Sequence, residues 1–158
     1  MTGKIAAIAL ILAALGAGVG MWYAQEYGFY DRIPADSPRA QVMLQTADGA
    51  LPLTAIGFEG IDADSSPLRW RACFRVEGGL PDGAQPFDAP TPLIGPNWFD
   101  CYDAEQIGQD LETGAARAVL SQSEIRPDVD RVLAVYPDGR IFGWHQFNDK
   151  TPERGVMD

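Results

Sequence analysis

Cys73 and Cys101 are the residues whose type and spacing point most directly to chemistry, and they are the chain's two cysteines. In an oxidising compartment such an even pair favours a disulfide. Closing the loop between them would stabilise the fold by roughly 3–4 kcal/mol on the chain-entropy relation. Each follows a tryptophan by three positions, Trp70 and Trp98, so at least one indole is expected to pack near the bridge. The alternative is a metal or redox pair. C-x-x-C is not present and His145 is the single histidine, so a Cys₂His copper or zinc set would need a fourth ligand from elsewhere. No metal and no cofactor is expected.

The remaining polar residues are weaker candidates. His145, beside Trp144, would need a nucleophile and an orienting acid to act as a general base, and no neighbour supplies them. It reads as a structural or surface histidine. Asp62-x-Asp64-x-Ser66 has the opening spacing of a calcium loop. Pro67 then stands at the glycine position and Cys73 at the bidentate glutamate position. Asp128 and Asp130 flank the start of a strand and read as solvated, and no spacing singles out a glycosidase-like pair. No Gly-rich phosphate loop, H-E-x-x-H or G-x-S-x-G occurs. The expectation is a non-enzyme.

The elements around these residues begin with an uncharged apolar run, Ile5 to Met21, behind Lys4 and ending in Trp22-Tyr23. With its two aromatics it approaches the ~20 residues that cross a bilayer core of roughly 30 Å. Trp22 and Tyr23 suit the membrane interface, where a ring stays buried and its polar tip stays wet. A cleavable secretory signal is the rival reading, with a small-x-small site at Gly16-Ala17-Gly18. Its apolar core would be long, since such cores span about 7–15 residues. Either reading exports residues 24–158. Lys4 favours N-in and C-out, while Arg32 and Arg39 near the far end weaken the bias.

Along this run Ala6, Ala9, Ala13, Gly16 and Gly20 recur at spacings of three and four, as do Ile5, Ile8, Leu12, Leu15, Val19 and Trp22. The two stripes lie about 110° apart on a helix. Gly16-x-x-x-Gly20 lets membrane helices approach closely. The small stripe therefore predicts docking on another transmembrane helix, a second copy or a larger membrane complex. An accidental stripe is the alternative.

All 22 acidic residues and 11 of the 12 basic ones lie from Glu26 onward, leaving about −11 on residues 24–158. Without Lys/Arg clusters such a surface does not bind nucleic acid. It could steer a basic partner, or simply be soluble. The run of residues divides into an anchor (1–23), a juxtamembrane tether (24–40) with Tyr27, Phe29, Tyr30, Pro34 and Pro38, an exported domain (41–147) and a tail (148–158).

Within the domain, residues 41–45 and 51–56 read as strands of a hairpin, and 59–67 as a polar loop. Leu68 to Val76 alternates apolar residues with Arg69, Arg71, Cys73 and Arg75, predicting a strand with one apolar face and one wet arginine face. Cys73 falls on the arginine side, so the bridge would tie a covering loop there. Glu77 to Pro96 is rich in Gly and Pro, either a binding loop or a loop stapled by the bridge. Asp103 to Thr113 predicts a helix with Asp103 as N-cap, Gln106 completing a capping box and Gly114 as stop. A strand over 115–121 follows. Then 130–136 and 141–147 form a hairpin closed by Pro137-Asp-Gly, with Val132, Ala134 and Tyr136 on one face. The fold class is α+β: one N-terminal transmembrane helix, then a small, mostly antiparallel β-sheet domain with one short helix.

In WRACFRV, NWFDCYDAEQIGQDLETGAA and RVLAVYPDGRIFGWHQF, together with the N-terminal anchor, the chain resembles an uncharacterised bacterial family of single-pass membrane-anchored proteins of unknown function. The resemblance spans nearly the full length and brings no catalytic residue. It implies a bacterial inner-membrane protein with a periplasmic domain. The expected function is an accessory or assembly subunit of a larger membrane complex, such as a respiratory one. The alternative is a periplasmic binding module whose loop 77–96 holds a ligand or a basic protein such as a c-type cytochrome.

Overall fold

The apolar N-terminal run forms one continuous helix, α1 (Thr2–Tyr23), in the computed structural model, which describes residues 2–148 and 150. Every residue from Gly3 to Tyr23 is exposed. The segment Gly3–Gly28, α1 and the π-helical turn Ala24–Gly28, is long and apolar enough to cross a membrane by length and composition. The chain then enters a sheet at β1 (Asp31–Ile33) and makes a 3₁₀ turn at Pro38–Ala40. After it come β2 (Val42–Thr46), β3 (Gly49–Leu53), β4 (Ile56–Asp62) and β5 (Arg71–Arg75). A long irregular stretch leads to α2 (Ala104–Thr113), then β6 (Arg117–Arg126), β7 (Val129–Val135) and β8 (Arg140–Phe147).

Six strands form one antiparallel sheet in the order β1-β4-β5-β8-β7-β6, and β2-β3 forms a separate hairpin. The expected α+β architecture, an apolar helix followed by a mostly antiparallel domain with one short helix, is the one observed. Alternation along β7 sends Leu133 and Val135 to one face and Val132, Ala134 and Tyr136 to the other. The first face is covered by the β2-β3 hairpin and Ile33, the second by α2 and residues 96–102. With both faces covered, all seven residues of β7 are buried, five of them apolar and two, Asp130 and Arg131, charged. Residues 84–87 stitch hairpin to sheet: Gln85 N–H donates to Gln45 O (2.9 Å) and Leu120 N–H to Gln85 O (2.9 Å).

Several boundaries differ from the sequence expectation. Residues 59–62, expected in a polar loop, belong to β4. Its alternation is hidden by a register shift between Ile56 and Glu59, by Gly57 at φ 64°, and by Gly60. Gly60 is required because the Phe58 ring lies 2.6 Å from where a Cβ would be. Residues 31–33 of the tether pair with β4 as β1, and Ile33 enters the core. The larger correction concerns the wet arginine face. Arg71 and Cys73 are buried, because the irregular segment before α2 lies over them. Of the tail at 148–158, Asn148 and Lys150 are described and the other positions lie outside the described residues.

Helix α2 starts as its cap predicts: Asp103 Oδ1 accepts the N–H groups of Glu105 (3.0 Å) and Gln106 (3.1 Å). The Gln106 side chain donates forward to Asp110 Oδ1 (2.9 Å) instead of back to the cap, so the capping box is half made. Gly114 ends the helix in the left-handed region at φ 78°.

On the first face, one large ring depends on a missing side chain. Trp70, 1% exposed, lies flat over β8 at Gly143, where a Cβ would meet the indole at 2.7 Å and Leu133 Cδ2 at 3.0 Å. Gly143→Ala should therefore overpack this face and cost about 1–3 kcal/mol in urea denaturation. An unchanged midpoint would mean the indole is not held there.

Candidate functional site

The sulfurs of Cys73 and Cys101 are bonded in this structure, with Cα atoms 6.3 Å apart. The bridge ties the segment that precedes α2 onto the second sheet face. Trp98 shares the apolar cluster around it, whereas Trp70 sits on the opposite face. Arg71 fixes the same covering segment. Its Nε–H donates to Leu93 O (2.7 Å), Nη1 to the carbonyls of Leu68 and Trp70 (2.7 Å each), and Nη2 to Ile94 O (3.2 Å). Four carbonyls thus satisfy this buried guanidinium, and burial lowers its pKa. Thr91 N–H donates to Gln146 Oε1 (2.8 Å), and Gln146 Nε2 to Ala89 O (3.3 Å). Residues 84–96 are thereby hydrogen-bonded to the fold, although Gln85, Asp88, Thr91 and Ile94 among them stay exposed. Gly78, Gly79 and Leu80 line a cleft of about 620 Å³ beside Arg117 and the Pro137–Gly139 turn.

On the helix, Ala9, Ala13, Gly16 and Gly20 are exposed, and a Cβ at Gly16 or Gly20 would meet nothing within 4 Å. Trp22 and Tyr23 are also exposed, with ring centroids 5.9 and 5.5 Å from Tyr27. The helix does not end in a free tether. Glu26 accepts Asn97 N–H (3.0 Å) and Nδ2–H (2.8 Å), and Trp98 Nε1–H donates to the Glu26 carbonyl. Arg69 lies over Phe29 (4.9 Å) and Tyr30 (5.3 Å), and Arg32 over Trp98 (5.0 Å). Three π-faces and one carboxylate clamp the helix end to the domain.

A polar concavity lies on the first sheet face, a cleft of about 600 Å³. Five separated stretches build it: 38–43, 62–67, Trp70, 122–126, and the facing residues Arg131 of β7 and His145 of β8. It gathers residues that the sequence offered apart, Asp62, Asp64 and Ser66 as the opening of a calcium loop and His145 alone. Spacing gave no signal for their partners Arg39, Arg126 and Arg131. No calcium loop forms, and among the described residues no group of three or more His, Cys, Asp or Glu could hold a metal.

His145 has both ring nitrogens engaged. Nδ1 lies 2.8 Å from Pro67 O, a pure acceptor, so Nδ1 carries the proton; Nε2 accepts Arg131 Nε–H at 3.0 Å. Burial first, then the Arg131 charge, pushes the imidazole down to about 3. At neutral pH the ring is a fixed hydrogen-bond acceptor, not a base. Trp70 stacks on it (centroids 5.1 Å apart, 17° between planes) and also covers Arg131 Cζ at 4.0 Å. Burial pushes the Arg131 guanidinium down to about 10, so it stays charged at neutral pH. Across the cleft, burial raises the Asp62 carboxyl, while Arg39 and Arg131 partly oppose the shift.

A family model described as a family of unknown function, DUF6446, matches residues 40–154. The chain belongs to this family. The match takes in the hairpin, β4 to β8, the bridge and the cleft apart from Pro38 and Arg39, and leaves α1 and nearly all of the tether outside, a shorter span than the near-full-length resemblance read from sequence. Among curated proteins and solved structures, nothing matches the chain.

Proposed function

We propose that the chain is a non-catalytic accessory or assembly subunit of a larger membrane complex, possessing one bilayer-spanning helix and a domain held outside. The observation that carries this reading is α1: exposed throughout, apolar, with an open strip at Gly16 and Gly20, and clamped to the domain at Glu26. A free tether would decouple helix from domain. A clamp instead makes docking of the helix orient the domain, which is what a subunit needs. In this reading Trp22, Tyr23 and Tyr27 sit at the interface, Lys4 stays inside, and the domain occupies the periplasmic side of a bacterial inner membrane, where the disulfide persists.

The test is the size of the full chain after gentle detergent extraction from native membranes. The wild type should migrate as a defined assembly, and Gly16→Leu with Gly20→Leu should release it as a monomer, since the bulk removes close helix approach. A wild-type monomer, or an assembly indifferent to the two leucines, would defeat the proposal.

The second reading, a periplasmic binding module for a ligand or a basic partner such as a c-type cytochrome, has support from the acidic surface and from residues 77–83. With 84–96 hydrogen-bonded to the fold, that part of the loop would serve it as a fixed surface.

A further inference from the structure

The cleft on the first sheet face holds three arginines against two aspartates, an excess of positive charge that no salt bridge within the cleft takes up. Three of the chain's ten arginines line it, in a chain of net charge −10. Arg131, at its floor, is only 7% exposed. Its hydrogen bonds go to neutral acceptors: His145 Nε2, Gln41 O (3.3 Å) and Gln122 Oε1 (3.5 Å). Neutral acceptors satisfy donors but do not cancel a charge; Asp62 acts on Arg131 only from beyond salt-bridge distance, and a buried cation without a contacting counter-ion is costly. Among the described residues Nη2 has no hydrogen-bond partner. The ion pairs among these residues are Arg32–Glu59, Arg140–Asp138 and Lys150–Glu124, so Arg39, Arg126 and Arg131 belong to none. Arg71 is the internal contrast: equally buried, yet with all three nitrogens bonded to carbonyls.

We propose that this cleft binds a small organic oxyanion, a carboxylate or phosphate group attached to a compact body, with Arg131 as the buried anchor and Arg39 and Arg126 closing from the rim. Arg131 has Nη2–H left to donate, its Nε and Nη1 being engaged, while the forks of Arg39 and Arg126, which line the same cleft, match two oxygens of such a group. Asp62 and Asp64, which line the same cleft, set the limit. They repel polyanions and keep the ligand low in charge. Met43 and Ile125 supply apolar lining, and the volume of about 600 Å³ exceeds what a bare anion fills. Asp62 pairs with Asp31, three residues beyond Gly28, so the cleft opens near the end of the membrane-length helix. The oxyanion therefore comes from a soluble metabolite or from a lipid headgroup. The inference stands whether or not the chain is a complex subunit.

The experiment is thermal melting of the full chain in neutral detergent, titrated at constant ionic strength with sodium phosphate, succinate or short-chain phosphatidic acid against a chloride control. Saturating ligand should raise the midpoint by about 5–10 °C. The rim variant Arg39→Ala with Arg126→Ala, both exposed, should keep the unliganded midpoint and lose most of the shift. Arg131→Lys should weaken it at least tenfold in midpoint concentration. A shift with phosphatidic acid alone assigns the group to a lipid; a shift with phosphate or succinate assigns it to a soluble ligand. No shift beyond chloride with any of the three, or a shift that the rim variant leaves intact, overturns the proposal.

Discussion

Reducing the Cys73–Cys101 bridge lowers the unfolding free energy by about 3–4 kcal/mol on the loop-closure relation. Twenty-eight positions separate the two cysteines, so the reduced unfolded chain regains the freedom of a long loop. The loss should be mostly entropic in origin, because Arg71 still holds Leu93 and Ile94 after reduction. Denaturant unfolding with and without reductant measures it, and Cys73→Ala with Cys101→Ala should reproduce most of the drop. The variant should still fold, since Phe99, Tyr102 and Ile107 continue to pack on Val132, Ala134 and Trp144. Coincident curves for the oxidised and reduced protein would show that the covering segment is held by packing alone.

Acid should destabilise the domain through His145. The ring is neutral when folded, with a pKa of about 3 against 6.5 in the unfolded chain. Between those values the unfolded state binds the extra proton, so stability is complete above pH 6.5 and falls as the pH drops toward 3. From pH 7 to pH 4 this amounts to about 3 kcal/mol. Asp62 works in the opposite direction: its raised pKa makes the folded state bind a proton first, which offsets part of the loss. The exposed carboxyls of Glu124 and Asp138, held below the usual range by hydrogen bonds, add to the loss in wild type and variant alike. His145→Gln should therefore flatten the curve relative to wild type over this window. His145 is the sole histidine, so its ring protons report directly by NMR. A titration midpoint near 6.5 would sink the prediction.

The elements that local signals specify came through. Asp103 and Gly114 bound α2 because a cap and a left-handed stop are short-range chemistry. Pro137-Asp-Gly closed the β7-β8 hairpin for the same reason, with Gly139 at φ 84° and Asp138 Oδ1 accepting Arg140 N–H. Strand β4 escaped because Gly57 and Gly60 erase the period-2 pattern that identifies a strand. Composition leaves loop 77–96 open between a binding loop and a stapled one, because its hydrogen bonds with Gln146, 50 or more positions away, leave no trace there.

Composition and short-range order were enough for the apolar helix, its small-residue strip, the pairing of the two cysteines, the acidic surface and the α+β class. Each depends on residue type or on neighbours within a few positions. Long-range packing was needed to show that Arg71 and Cys73 on the arginine face of β5 are dry, that Glu26 clamps the helix to Asn97, and that Arg39, Asp62, Arg126, Arg131 and His145 meet in one cleft. An alternating strand tells which residues share a side, not whether a distant irregular segment will cover that side. Solvation of Arg71 and the protonation of His145 depend on such coverage, and coverage is set by contacts between stretches of chain that are far apart in sequence.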